Sequence, residues 1–122
     1  MHNPTLIDHF QNPRNAGELP PPAVTVEVAN PACGDILRLS LLVQEGRLQD
    51  VRFKVRGCVA SIACGSLLTE LIKGKTLAEA ERVSAAAVAS AMGGLPPEGG
   101  HASILAADAL KAALREARRL PR

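Results

Sequence analysis

The hydrophobic period of the chain changes once, sharply, at Arg56-Gly57-Cys58. Before that point apolar residues alternate with polar ones: Val24, Val26 and Val28, then Leu37, Leu39, Leu41 and Val43, then, past a turn at Glu45-Gly46, Val51, Phe53 and Val55. Between them stand Thr25 and Glu27, Arg38 and Ser40, and Arg52, Lys54 and Arg56, with Leu42 breaking the pattern. A period of two over three successive runs predicts an antiparallel three-stranded sheet with one buried face and one basic, wet face. After Cys58 the apolar spacing becomes i, i+3, i+4, i+7 through Cys64, Leu67, Leu68 and Leu71. That predicts a helix to about Lys73, with Gly74 as its stop.

Further helices follow from the same reasoning. Thr5 to Phe10 predicts a short one with Leu6, Ile7 and Phe10 on one side, ending near Asn12-Pro13 because the residue before proline avoids helical angles. Joined by a stiff connector through Gly17 and Pro20-Pro21-Pro22, it reads as a docking element or a cover for the fold rather than a catalytic part. Lys75 to Val83 and Ser84 to Met92 predict two short helices, and residues 93–100 a loop of glycines and prolines. The last helix is expected to bury Ser103, Ala106, Ala107, Leu110, Ala113, Leu114 and Ala117 and to expose Asp108, Lys111, Arg115, Arg118 and Arg119. Helices gathered on one face of an antiparallel sheet make the expected class α+β.

The 122 residues suffice for one domain, 1–122, with a modest core. With no Trp, no Tyr and two Phe, the chain lacks stacking platforms for single-stranded nucleic acid, and a net charge of +2 is too slight to favour duplex binding. Three cysteines, none closely spaced, argue against a secreted disulfide framework. No signal-like or membrane-length apolar run is present, so a cytoplasmic protein with reduced thiols and no membrane partner is expected.

Chemistry concentrates at the breaks between elements. Cys58 sits where the last strand gives way to a helix, whose first turn offers free N–H groups and a positive dipole end that suit an anion. Cys33 lies in the first strand connection, Asn30-Pro31-Ala32-Cys33-Gly34-Asp35, with Asp35 two residues on, and His101 opens the last helix. A meander brings the start of its second strand and the end of its third to one sheet edge. Two sulfurs, one carboxylate and one imidazole could therefore converge, a donor set for zinc or iron. Cys64 is a tempting further ligand, yet it shares a stripe with leucines. Six residues at ~1.5 Å rise also place it ~9 Å from Cys58 along the helix, so a core role is expected.

Several ordered motifs, spread over nearly the whole chain, carry a resemblance. Ile7-Asp8-His9-Phe10-Gln11-Asn12-Pro13-Arg14-Asn15, Pro31-Ala32-Cys33-Gly34-Asp35, Val51-Arg52-Phe53-Lys54, Gly57-Cys58, Leu68-Thr69-Glu70, Ile72-Lys73-Gly74-Lys75, Leu95-Pro96-Pro97 and His101-Ala102-Ser103-Ile104-Leu105-Ala106 occur in that order. Together they resemble the iron–sulfur cluster assembly scaffolds of the IscU / NifU N-terminal type. The resemblance implies a SufE/NifU-like α+β fold and a non-enzymatic scaffold that receives sulfur from a cysteine desulfurase. It further implies assembly of a [2Fe–2S] cluster for transfer to iron–sulfur acceptor proteins, with Cys33, Asp35, Cys58 and His101 at the metal and cluster positions. A hard carboxylate among thiolates should make the site labile, as a scaffold requires.

The chain departs from the family pattern at three places. Ala102 stands where the family has a further cysteine, Cys64 where it usually has serine, and Glu98-Gly99 where its Hsp70-recognition segment continues with a hydrophobic residue and lysine. Docking of an Hsp70-type chaperone therefore stays open on the sequence. Two sulfurs, one nitrogen and one oxygen could also hold zinc, the occupant expected in isolated protein. A zinc-binding desulfurase regulator that carries no cluster is thus an alternative. A thiol transferase using Cys58 is weaker, because no His/Asp relay is readable beside it.

Overall fold

The computed structural model describes residues 3–31, 34–96 and 99–119. Its elements are α1 (Pro4–Gln11), β1 (Val24–Ala29), β2 (Ile36–Gln44), β3 (Arg47–Arg56), α2 (Val59–Ile72), α3 (Leu77–Glu81), α4 (Ala85–Ala91) and α5 (Gly100–Arg119). The strands form an antiparallel sheet in the order β1-β2-β3. Helix α2 packs on β3, α5 packs on β1 and β2, and the two helices touch each other. This is the α+β arrangement that the change of period predicts.

The β2–β3 hairpin turns through Glu45 and Gly46, at φ 54° and 75°. Positive φ at both central residues matches the twist of the flanking strands. Pairing shifts just beyond it: Leu42 faces Asp50 but Val43 faces Leu48, so Gln49 is the extra residue of a bulge. The bulge explains the break at Leu42, and it lets Leu48 and Val51, three apart, both be fully buried. They join Leu37, Leu39, Leu41 and Phe53 in the core. On the other face Arg38, Lys54 and Arg56 are exposed, whereas Ser40 is buried through a 2.8 Å hydroxyl contact with Thr25. The outer edge of β3 is covered twice: Asn15 and Gly17 exchange backbone hydrogen bonds with Phe53, and Gly74 and Lys75 with Leu48. Each of these contacts takes up part of an edge that would otherwise be open to another strand.

Helix α2 is buried on more than its leucine stripe, since Ser61, Ser66 and Thr69 are buried with the apolar residues. The sheet covers one side, where Gly65 lets the helix settle so close that an added Cβ would stand 2.6 Å from the Phe53 ring. On the other side lies α1, which acts as a cover. Leu6 packs against the core, but the buried residue of α1 is His9, while Ile7 and Phe10 are each 38% exposed. The reason is a polar seam. The Arg14 N–H donates to Ser66 Oγ at 2.8 Å, and Ser66 is 2.7 Å from His9 Nδ1. With Ser66 giving its proton to Nδ1, the other ring nitrogen carries the hydrogen toward Glu70 Oε1 at 3.3 Å.

Burial holds His9 below the ordinary imidazole pKa, with the Arg14 charge adding to that and Glu70 and Asp8 opposing it. The folded state thus binds fewer protons than the unfolded one. Its contribution is complete above the unfolded value of about 6.5 and is lost as pH falls from there through the lower folded value. The urea midpoint should therefore drop between about pH 8 and about pH 5.5, by less in His9→Gln, which should already be weaker at the higher pH. Gly65→Ala should cost about 1–3 kcal/mol through overpacking against Phe53, measurable in the same denaturation.

Candidate metal centre

Three element starts meet at one end of the domain. Asp35 immediately precedes β2, Cys58 is the residue capping the N-terminus of α2, and His101 lies in the first turn of α5. The β1–β2 connection is closed by Asn30 N–H donating to Asp35 O at 2.8 Å. This sets Asp35 opposite the strand-to-helix turn, since Ile36 pairs with Arg56. Gly57 makes that approach possible: a Cβ there would lie 2.5 Å from Asp35 Cγ and 2.7 and 2.8 Å from its two oxygens. Gly99 similarly brings the approach to α5 against α2, because an added Cβ would be 3.1 Å from that of Ala60.

The donors converge as a result. His101 Nε2 is 3.5 Å from Cys58 Sγ and 3.4 Å from Asp35 Oδ2. Sulfur, imidazole nitrogen and carboxylate oxygen all lie within 4.8 Å of one another. Tetrahedral ligands at about 2.0–2.3 Å from an ion are about 3.3–3.8 Å apart, so these atoms need little movement to share one. The Asp35 side chain is 9% exposed and that of His101 25%, while Cys58 is exposed at the surface. Asp35 Oδ2 accepts from Ser61 O–H at 2.6 Å and from the Cys58 N–H at 3.3 Å. The Ser61 hydrogen bond above all, with those from the Cys58 thiol, the Cys58 N–H and His101, holds the Asp35 carboxyl down to about 2, against the opposing effect of burial. The carboxylate is therefore ionised throughout the neutral range.

The chain matches the NifU-like N terminal domain family over residues 1–120. It is 45% identical over 114 residues to the iron-sulfur cluster assembly scaffold protein IscU 1 of Archaeoglobus fulgidus, covering 93% of this chain and 74% of that one.

The chain belongs to the NifU-like N-terminal domain family.

Another relative in this group is the scaffold protein IscU of Azotobacter vinelandii, 47% identical over 115 residues, which cover 91% of this chain and 89% of that protein. The fold agrees as well. A crystal structure described as a candidate SUF-system scaffold, from Fervidobacterium islandicum AW-1, superposes with a TM-score of 0.76 at 23% identity, covering 93% of this chain and 96% of that one.

Of the residues picked out from the sequence, Asp35, Cys58 and His101 come together, and Cys33 lies outside the described residues. Ala102, at the departure from the family pattern, is 1% exposed in the core beside His101. Cys64 is fully buried among core side chains, as the helical rise predicts. Sequence reasoning gave no role to Ser61 or to the closeness of Gly57 and Asp35. The available signal was a hydroxyl three residues beyond a helix-opening cysteine, where it faces the same end of the helix.

Burial pushes the Cys64 thiol up to about 12, with the neighbouring Cys58 adding. At about pH 8 only on the order of one Cys64 in 10⁴ would be thiolate. A Cys33→Ser/Cys58→Ser variant should therefore resist iodoacetamide while folded and react once denatured, read by mass spectrometry.

Proposed function

We propose that this chain is a scaffold for iron–sulfur cluster assembly, taking sulfur from a cysteine desulfurase and handing iron or a [2Fe–2S] cluster to acceptor proteins. The observation that carries this reading is the convergence of Asp35, Cys58 and His101 within 4.8 Å, in a chain whose relatives bear scaffold names. Cys33, two residues before Asp35, supplies the further thiolate of the proposed ligand set.

The chemistry of the donors suits temporary custody. Thiolates hold iron firmly, whereas a carboxylate and an imidazole are more readily exchanged for an acceptor's ligands. The N-terminal turns of α2 and α5 both open onto the site, and their free N–H groups favour an anionic cluster. Ala102 gives the site a second reading, since the proposed donors without another cysteine number what one zinc ion takes. A zinc-holding regulator of the desulfurase is that reading.

Anaerobic reconstitution with ferrous iron and sulfide separates them. The expected result is sulfide-to-iron charge-transfer absorption in the wild type, its loss in Cys58→Ala, and transfer of the cluster to an apo-ferredoxin. Zinc retained with no such absorption, together with a changed desulfurase rate, would replace the scaffold reading by the regulator.

A further inference from the structure

We infer that Ser61 is the positioning residue of the metal centre, fixing which oxygen of Asp35 is turned toward the ion. The inference rests on the reading of Asp35, Cys58 and His101 as ligands. Ser61 is 1% exposed in the first turn of α2, a helix held on one side by the sheet and on the other by α1. A hydroxyl so placed has a single proton to give. It goes to Asp35 Oδ2 at 2.6 Å, shorter than the 3.4 and 3.5 Å separations among the site's own donors. The same hydroxyl oxygen faces Cys58 Sγ at 3.4 Å, so one buried side chain touches two of the three converging donors.

The consequence is an asymmetric carboxylate. Oδ2 receives the Ser61 proton and the Cys58 N–H, both from the start of α2, and is thereby tied to that helix. Among the described residues Oδ1 makes no hydrogen bond. Oδ2 is the oxygen turned toward the other donors, 3.4 Å from His101 Nε2, so an ion shared with them would meet Asp35 through that one atom. Gly57, lacking a Cβ, leaves room for the carboxylate but does not orient it; orientation comes from the hydroxyl. Without it, Oδ2 would keep only the longer contacts to the Cys58 N–H and His101 Nε2, and the carboxylate would be freer to turn. Groups that orient a ligand in this way typically change metal affinity by about 10–100-fold when removed.

Cobalt(II) alone, titrated without oxygen into the full chain, tests this through its d–d and sulfur-to-cobalt absorption, with affinity set by a competing chelator. Ser61→Ala should bind about 10–100-fold more weakly, with shifted d–d bands. Because Ala leaves a small void, Ser61→Thr and Ser61→Val serve as a matched pair of similar shape differing in the hydroxyl. Thr should bind at least about tenfold tighter than Val, although the two unfold at similar urea concentrations. Equal affinity and identical bands in the Thr and Val variants would overturn the role of Ser61 while leaving the metal centre standing. A wild type that takes up no cobalt would remove the metal centre itself, and this inference with it.

Discussion

The contact on which the rest depends is the seating of one carboxylate against one bare stretch of backbone. Asp35 reaches the strand-to-helix turn because Gly57 has no side chain, and it stays there because Ser61 and the Cys58 N–H donate to it. A buried carboxylate is costly unless its oxygens are hydrogen-bonded. Here the donors come from the start of α2, so the interaction that makes the charge tolerable also locks the first strand connection onto the helix that carries the thiol.

Helix α2 then transmits this order to the whole domain. It faces apolar partners on the sheet and polar ones on α1, and both contacts are tight enough to fix its rotation: Gly65 lies against Phe53, and Ser66 is held by His9 and Arg14. A helix pinned on both sides cannot turn without breaking one of them. The direction of Cys58 is thus set by packing well away from it, and that of His101 by the close passage of Gly99 over Ala60. In this sense the core and the Asp35–Cys58–His101 cluster are two ends of one packing arrangement.

Much of this was legible in the residues. Alternation gave each strand and its inward face, the change of period located α2, and the glycines at 46 and 74 marked where elements end. The meeting of Asp35, Cys58 and His101 was legible because cysteine, aspartate and histidine at element boundaries are informative individually and more so together. What could not be read was burial of polar groups. His9 looks like the wet side of a helix bearing Leu6, Ile7 and Phe10, and only Ser66 and Glu70, more than fifty residues away, make it an inside residue. Ser61 was hidden for the same reason, since its partner Asp35 lies on another element. The periodicity of one segment records its own faces, not which remote hydroxyl will hydrogen-bond a buried charge.

The covered edge of β3 has a consequence for the order in which a growing chain can take shape. Residues 15–17 lie against Phe53, and His9 meets Ser66 and Glu70, so α1 and the segment after it wait for partners made later in the chain. The sulfur and carboxylate can meet once α2 exists, but the imidazole arrives only with α5. Long-range closure of this kind delays completion until most of the chain is available. A nascent molecule stalled before α5 would therefore bring Cys58 and Asp35 together while His101 is still missing from beside them.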